Sequence, residues 1–306
     1  MYIYLPIAEM PVNIFLILFL GGVTGIISGM FGVGGGFLMT PLLIFIGIPP
    51  AVAVSSSANQ IIAASFSGFL AHLRRANVDI KMGIVIIIGG FIGSSIGVSI
   101  FVLLKEIGQI DFAISLSYVL FLGTIGIMMA YESFQVIISK RKNKAILPKK
   151  KQRWLNILHL PCVMEFPRSG LQLSIFLPLL VGLFTGILVS LMGIGGGFIM
   201  IPAMIYLLRI PTSVVIGTSL FQIVFITANV TILQSITTQT VDVVLAMLML
   251  TSSVVGAQFG TRVGLKIPAE QLRAMLAVMV LAVVIKLALG LIITPDNPFT
   301  MEILEK

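Results

Sequence analysis

Two stretches with the same glycine-rich pattern decide the fold of this chain. Residues 21–41 read GGVTGIISGMFGVGGGFLMTP, and residues 182–202 read GLFTGILVSLMGIGGGFIMIP. At an offset of 161 residues they are identical at 11 of 21 positions. After a one-residue slip the match continues, so that Gln60 aligns with Gln222. Self-similarity of this kind indicates an internal duplication, and we interpret the chain as two copies of one unit.

The composition predicts a membrane protein. Charged residues make up 10% of the chain and apolar residues 58%, with a mean hydropathy of +1.14. A soluble domain carries about 25% charged residues. The apolar stretches are long and continuous, as in the run that begins at Ile84, so they predict transmembrane helices and not the short strands of a barrel. We therefore expect an all-α polytopic protein with membrane lipid as its surroundings.

Each half divides into the same pattern of segments. The predicted N-terminal repeat, 1–138, has a hairpin at about 13–48 and helices at about 51–72, 81–104 and 112–138. The predicted C-terminal repeat, 173–306, has a hairpin at about 173–208 and helices at about 213–235, 242–264 and 269–293. The second arm of each hairpin has roughly 12 or 13 residues, whereas a spanning helix needs about 20. Each hairpin is therefore predicted to be re-entrant, a broken helix that turns at its glycines; the alternative is two full spans per hairpin, which would give the same orientation.

The basic residues predict the orientation in the membrane. Nine of the 19 Lys and Arg lie between Lys140 and Arg168, in a linker at 139–172. Seven more lie in shorter loops on the same predicted side, so that this side holds 16 of the 19 basic residues. Because basic loops stay in the cytoplasm, we expect the linker there and both termini outside. The two repeats then have inverted orientations, as in many secondary transporters. This clustering accounts for the net charge of +8 without a nucleic-acid partner.

The glycine triplets are the first candidate binding site. N–H groups at a helix N-terminus, together with the helix dipole, bind anions, and glycines leave those groups unshielded. The candidate backbone donors are Gly34, Gly35, Gly36 and Phe37 in one half and Gly195, Gly196, Gly197 and Phe198 in the other. The alternative is that glycines only allow close helix packing. We favour that alternative for Gly89, Gly93 and Gly97, which are four residues apart.

Polar side chains early in the next helix form the second candidate group. They are Ser56, Ser57, Asn59 and Gln60 in the first half and Thr218, Ser219 and Gln222 in the second. Hydroxyls and amides can donate hydrogen bonds to an oxyanion, but they can also bond to their own or a neighbouring helix. Lys286 is a clear charge within an apolar span. It either faces the cavity, where it could pair with the anion or exchange a proton, or extends to the outer headgroups.

The few acidic residues narrow the function. Asp79 and Asp242 each precede a predicted helix and are expected to be N-caps. The lack of clear mid-span carboxylates argues against a metal-cation carrier or a carboxylate proton relay. We find no catalytic triad, paired carboxylates or Cys/His cluster, so no enzyme, cofactor or metal site is expected. The remaining possibilities are a secondary anion transporter, a passive anion channel, and a membrane scaffold or sensor that acts through the basic linker.

The chain resembles the TauE/SafE family of sulfite and organosulfur-anion exporters. The resemblance rests on GVGGGFLMTP from Gly32, GIGGGFIMIPAMIYLLRIPTSVVIGTSLFQIVF from Gly193, and a linker that ends LPCVMEFPRSG, and it covers essentially the whole chain. It implies a bacterial inner-membrane carrier that exports sulfite, thiosulfate, sulfoacetate or a similar anion, often with proton coupling. The triple serine at 55–57 and Asn59 depart from the family's more usual Thr-Ser pair, so side-chain contacts are expected to differ there. Neither the residues nor the resemblance specifies the oligomeric state.

Overall fold

Helices dominate the architecture, with a short β-hairpin at the start of each half. The structure is a computed structural model and describes residues 1–31, 34–131, 163–166, 168–208, 210, 212–264 and 269–292. The first half contains β1 (Tyr2–Leu5), β2 (Met10–Asn13), α1 (Ile14–Phe31), α2 (Gly36–Phe45), α3 (Pro50–Arg74), α4 (Ile80–Glu106) and α5 (Ile110–Tyr131). The second contains β3 (Val163–Phe166), β4 (Leu171–Ser174), α6 (Phe176–Met192), α7 (Gly197–Tyr206), α8 (Thr212–Thr237), α9 (Val243–Gly264) and α10 (Ala269–Ile292). Most of the linker predicted at 139–172 lies outside the described residues.

The described helices are those of a multi-pass membrane protein. Six of them are long and apolar enough to cross a bilayer, namely α1, α4, α5, α8, α9 and α10. Two others, α2 and α7, have only 10 residues each. A 10-residue helix is about 15 Å long, about half the thickness of the hydrocarbon core. The all-α polytopic fold class is confirmed, and the short second arm of each hairpin is a helix in its own right.

The long helices pair across the two halves. Helix α1 packs along α9, and α4 packs along α6. These contacts need glycine: a methyl group on Gly93 would collide with the carbonyl of Leu183, and one on Gly260 with the carbonyl of Ile26. All three glycines that we assigned to packing, Gly89, Gly93 and Gly97, lie against α6, which confirms that interpretation. Helices α3 and α8 pack against each other, and each also contacts a helix of the other half, α9 and α4 respectively.

Two aspartates begin the corresponding helices α4 and α9. Oδ1 of Asp79 accepts a hydrogen bond from the backbone N–H of Met82 at 3.2 Å. Oδ1 of Asp242 accepts one from Leu245 at 3.0 Å. Both aspartates are buried. The predicted N-caps are therefore confirmed, and neither carboxylate faces a transport path as a free group.

A β-hairpin fastens each aspartate from the opposite half. In β1–β2 the turn residue Ile7 donates its N–H to Oδ2 of Asp242 at 3.0 Å. In β3–β4, Ser169 donates its N–H at 3.0 Å and its hydroxyl at 2.7 Å to Oδ2 of Asp79. The strands of the two hairpins are offset by 161 residues, as the glycine triplets are. The duplication therefore begins at the first strand, and each half stabilises a helix start in the other.

Candidate functional site

Each glycine triplet forms a left-handed turn that begins a short helix. The φ angles are 88° at Gly34 and 71° at Gly35, and 75° at Gly195 and 74° at Gly196. L-residues other than glycine rarely adopt such angles. Gly35 and Gly196 are the N-caps of α2 and α7. The first two glycines of each triplet are therefore required by the backbone, whereas Gly36 has no space for a Cβ atom beside Ile61.

The two turns, which we call the glycine tips (34–36 and 195–197), lie close together in the interior. The rings of Phe37 and Phe198, the residues that follow the tips, stack with centroids 5.1 Å apart and planes 21° apart. A Cβ atom on Gly36 would come within 2.9 Å of the carbonyl oxygen of Gly193, which precedes the other tip. The side chain of Ile61 contacts both tips. The structure thus brings together the backbone donors that the sequence suggested.

Both tips present helix N-termini. The first N–H groups of a helix have no acceptor within the helix. In α2, Leu38 and Met39 donate to the carbonyl of Gly35, at 3.3 and 3.4 Å, and Gly36 donates to Gly34 at 2.9 Å. The N–H groups of Gly35 and Phe37 lie at the start of α2, so no carbonyl within α2 itself can accept from them. Helix α7 repeats this arrangement at Gly196, so the positive ends of two dipoles converge near the stacked rings.

Two of the candidate hydroxyls hold the fold together. The backbone N–H of Asp242 donates to Oγ of Ser56 at 3.0 Å. In the other half, the N–H of Asp79 donates to Oγ1 of Thr218 at 2.9 Å. Both hydroxyls are fully buried. They connect α3 and α8 to the capping aspartates, so each hydroxyl oxygen already accepts one hydrogen bond within the fold.

The neighbouring hydroxyls differ between the halves. Oγ of Ser57 lies 2.7 Å from Oγ1 of Thr40 and 3.4 Å from the carbonyl oxygen of Gly193. Its counterpart Ser219 donates to the carbonyl of Ile216 in its own helix at 2.9 Å. Ser57 also donates to the carbonyl of Val54 in its own helix at 3.0 Å, so both serines make the local bond that the alternative interpretation allowed. Ser57 in addition lies beside the residue that precedes the second tip.

Unpaired polar atoms are concentrated on the two central helices. Within the described residues, the buried side-chain atoms without a hydrogen bond all belong to α3 and α8: Asn59 Nδ2, Gln60 Oε1, Ser65 Oγ, His72 Nδ1, Gln222 Nε2 and Oε1, Thr231 Oγ1, and Gln234 Oε1. Each unpaired buried group is unfavourable by about 1–3 kcal/mol. Since buried polar groups are normally paired, such a concentration needs an explanation, and a path for a polar ligand is one.

The two aligned glutamines are not in equivalent states. Nε2 of Gln60 donates to Oγ1 of Thr24 at 2.9 Å, and only its carbonyl oxygen is unpaired. Both polar atoms of Gln222 are unpaired, although the residue is fully buried. The next residue, Ile223, contacts the first glycine tip. Among the described residues, Gln222 is therefore the buried side chain with the most unused hydrogen-bonding capacity, and its neighbour in the chain lies close to the first tip.

Lys286 does not join the other candidates. It is exposed on α10, and its Nζ lies 4.0 Å from the centroid of the Phe45 ring. Phe45 is the last residue of α2. Eight residues separate it from Phe37, which corresponds to about 12 Å along a helix. This placement favours the interpretation in which the ammonium group extends away from the tips.

Two residues near the tips were missed in the sequence. Tyr118 is fully buried in a π-helical turn of α5 (Tyr118–Leu122), and its hydroxyl donates to the carbonyl of Met192 at 2.7 Å. A tyrosine within an apolar span was the available signal, since a buried phenol needs a partner. Thr24 was visible as an identity with Thr185 in the repeat, but its bond to Gln60 joins residues that are 36 positions apart.

A cavity of about 320 Å³ lies near the first glycine tip: one of its lining residues is Ser28, whose Cβ would be 2.8 Å from a Cβ atom on Gly35. Its walls come from α1, α3, α8 and α9 and include Met30, Phe31, Ser67, His72, Leu220, Thr261 and Arg262, with Arg75 just after α3. Phe31 is the last residue of α1, so the cavity adjoins the segment that leads to the tip. Among its described lining residues, two are arginines and none is acidic.

The counterpart positions in the other half are joined by hydrogen bonds. Ser190 corresponds to the cavity residue Gly29, and its hydroxyl donates to the carbonyl of Ser94 at 3.0 Å. Nδ2 of Asn229 donates to Oγ of Ser94 at 2.7 Å, and Nε2 of Gln234 donates to the carbonyl of Ser190 at 3.0 Å. We call Ser94, Ser190, Asn229 and Gln234 the bonded cluster. The two sides of the tips are therefore built differently: one has a cavity, and on the other the counterpart residues are linked by side-chain hydrogen bonds.

The chain matches known membrane proteins along most of its length. The profile of the Sulfite exporter TauE/SafE family matches residues 17–287. A probable membrane transporter of Xylella fastidiosa (strain 9a5c) is 27% identical over 269 residues, which cover 87% of this chain and 91% of the relative. The probable membrane transporter YunE of Bacillus subtilis (strain 168) is 28% identical over 228 residues, 70% and 74% of the two chains.

An archaeal relative extends this range. A probable membrane transporter of Methanocaldococcus jannaschii is 27% identical over 278 residues, which cover 86% of this chain and 90% of the relative. No solved structure matches the fold significantly. The family and its named relatives are membrane transporters and not enzymes. This chain therefore belongs to the Sulfite exporter TauE/SafE family, as a multi-pass membrane transporter.

Proposed function

We propose that this transporter exports a small sulfur-containing anion, sulfite or a related thiosulfate or organosulfonate, by alternating access and with proton coupling. The observation that supports this most strongly is the convergence of two glycine-capped helix N-termini beside the stacked rings of Phe37 and Phe198. Each N-terminus carries about half a positive charge. Two of them can together offset much of the charge of a small oxyanion without a fixed cation.

Side chains complete the proposed site. Gln222 offers two unpaired polar atoms, and Ser57 is hydrogen-bonded beside the tip. An amide N–H and a hydroxyl both donate to sulfur-bound oxygens. The favourable electrostatic energy of the N-termini and these donors would offset the loss of the anion's hydration. We also propose that Asn59, whose Nδ2 is buried and unpaired, is a further contact, and that Ser219 contributes less because it bonds within its own helix.

The proposed orientation has inverted repeats, a cytoplasmic linker and both termini outside, in the bacterial inner membrane. It is supported by the basic loops and by the matched pairs α1–α9 and α4–α6. In this orientation α2 and α7 are parts of re-entrant hairpins that meet near the midplane. Cys162, the single cysteine, lies in the linker and provides a test. An impermeant thiol reagent should label it only in inside-out vesicles, and labelling in intact cells would contradict the orientation.

Transport assays test the function. The purified protein is reconstituted in liposomes, and the uptake of radiolabelled sulfite, thiosulfate and sulfoacetate is measured with and without a pH gradient. We expect saturable uptake of at least one anion, increased by the gradient. Absence of flux for every anion would contradict the proposal. Flux that is the same with and without the pH gradient would contradict only the proton coupling.

A passive channel with the same tips is the second candidate, since an open cavity lies near one of them. Counterflow separates the two mechanisms. If the protein is a carrier, liposomes preloaded with unlabelled sulfite transiently accumulate radiolabelled sulfite. If it is a channel, they do not, and anion conductance is measured instead. The scaffold or sensor alternative predicts no flux in either assay.

Lys286→Gln tests the role of the exposed lysine that packs over the Phe45 ring. We expect this variant to retain anion flux. A variant that retains flux but no longer responds to the pH gradient would assign the coupling role to Lys286.

A further inference from the structure

We propose that the cavity beside the first glycine tip is a capture site for the anion, in which Arg75 and Arg262 bind it before it reaches the tips. This inference rests on the proposed function, and it adds a second binding site on the cytoplasmic side. The ligand class is a small oxyanion with one or two negative charges, free in solution.

The cavity has the chemistry of an oxyanion site. Arg75 and Arg262 both line it, together with His72 and the hydroxyl-bearing residues Ser67 and Thr261. A guanidinium group is planar and can bind two oxygens of an oxyanion at once, which favours such ligands over spherical anions. Both arginines are exposed at the mouth, so they can meet an ion that still carries its hydration shell. The volume of about 320 Å³ leaves room for the anion with water.

Comparison of the two halves shows that the charged positions of the cavity have neutral counterparts. The repeat places Gln234 opposite His72, Thr237 opposite Arg75 and Ser99 opposite Arg262. The counterpart positions are therefore neutral, and Gln234 is used in the bonded cluster. Lys105 lies beside these counterparts, but its Nζ donates to the carbonyl of Thr238 at 3.0 Å, whereas both cavity arginines are exposed. We therefore expect anions to be attracted to the mouth with the two arginines. In the proposed orientation that mouth is cytoplasmic, which agrees with export.

A second explanation for the arginines is that they only orient the chain in the membrane, because basic residues near helix ends do so. Lysine variants separate the explanations, since lysine retains the charge but cannot bind two oxygens in the same plane. Arg74→Gln is the matched control: Arg74 is the adjacent exposed arginine and is not among the residues that line the cavity.

The experiment measures initial rates of sulfite uptake in proteoliposomes for Arg75→Gln, Arg262→Gln, the double variant, the two lysine variants and Arg74→Gln. We expect the double glutamine variant to raise KM about tenfold, a modest loss for two charge-assisted contacts, with the maximal rate within about twofold. Lysine variants should raise KM by a smaller factor. Added salt should raise the wild-type KM and have less effect on the double variant, because it screens exposed charges.

The outcomes are distinguishable. A wild type that moves no anion contradicts the proposed function and the capture site with it. A transporting wild type with an unchanged KM in the double variant contradicts the capture site alone, as does an equal effect of Arg74→Gln. The capture site is also contradicted if KM changes only in those glutamine variants whose orientation in the membrane, measured by Cys162 labelling, is altered. Liposomes of phosphatidylcholine alone, compared with others that contain phosphatidylglycerol, test for lipid headgroups: an effect seen only with the anionic lipid would overturn a free-anion site.

Discussion

At Gly35 and Gly196 the backbone geometry and the proposed chemistry depend on the same atom, the missing Cβ. Both residues have φ angles near 70° and cap the short helices. A Cβ on Gly35 would lie 2.8 Å from that of Ser28 and 3.0 Å from the carbonyl oxygen of Thr24. Substitution would thus strain the turn and shield the N–H groups that are proposed to bind the anion.

We expect Gly35→Ala and Gly196→Ala each to lower sulfite flux at least tenfold, because a left-handed alanine is unfavourable by about 1–2 kcal/mol and displaces the turn. Replacement by valine should abolish flux. The measurement is initial uptake in liposomes at matched protein insertion. Gly290→Ala is the control, since a methyl group there meets nothing within 4 Å, and it should retain full flux. Flux retained by both tip variants would contradict the backbone site.

Gln222 allows a prediction in which stability and activity change in opposite directions. Gln222→Leu removes two unpaired buried atoms at similar volume, so it should stabilise the fold by about 1–3 kcal/mol. It should also abolish transport, because the proposed donor is lost. Gln60→Leu is the matched comparison: it breaks the hydrogen bond to Thr24 and should not stabilise. Thermal unfolding in detergent and liposome flux provide the two measurements, and a destabilised or fully active Gln222→Leu would contradict the assignment.

At the scale of elements, the starts of α4 and α9 are fixed by reciprocal contacts between the halves. Asp79 is the N-cap of α4, and Ser169 bonds to its other oxygen from the β3–β4 hairpin. Asp242 has the same role for α9, with Ile7 as the partner. These contacts position α3 and α8 through Ser56 and Thr218, and so they indirectly set where the polar residues of the central helices lie.

Loss of the Asp79 carboxylate should destabilise the protein without altering which anion it carries. Asp79→Ala removes a helix cap worth about 1 kcal/mol and two bonds from Ser169, for a total of about 2–4 kcal/mol. Ser169→Ala removes only the hydroxyl bond and should lower the melting temperature less. The melting temperature in detergent measures the loss of stability. The ratio of sulfite to thiosulfate uptake measures whether the anion preference is unchanged. An Asp79→Ala protein that melts with the wild type would show that the cap is not needed.

The sequence predicted features that depend on local or periodic patterns. The duplication, the apolar helices, the capping aspartates and the turns at the glycine triplets follow from residue types at fixed spacing. The hairpin β1–β2 does not, because its strands have four residues each and share little with β3–β4 beyond Pro6 and Pro167. Nor could the sequence show that Ser56 bonds to Asp242, since 186 positions separate the partners. Gln60 and Gln222 align as identical residues, yet only the tertiary structure distinguishes their partners.

At the scale of the whole molecule, the two mouths of the proposed path differ in kind. One has a cavity with two arginines, and at the other the bonded cluster links the corresponding positions, which we interpret as the closed side. Alternating access requires the reverse arrangement in a second state, with the cluster broken and the cavity closed. The few hydrogen bonds of the cluster contribute about 1 kcal/mol each, so exchange between the states is energetically accessible.

Cysteine accessibility tests this exchange on both sides of the tips. In a Cys162→Ser background, Ser67→Cys places a thiol in the cavity, and Val230→Cys places one at a fully buried position of the other half, beside Asn229. We expect an impermeant thiol reagent to label Cys at 67 from the cytoplasmic side, and Cys at 230 hardly at all from outside. Asn229→Ala removes one hydrogen bond of the bonded cluster. Combined with Val230→Cys, it should increase labelling at position 230 from outside. Combined with Ser67→Cys, it should decrease labelling at position 67 from the cytoplasmic side. If labelling at the two positions rose together, the path would open at both ends, as in a channel, and the alternating-access mechanism would be wrong.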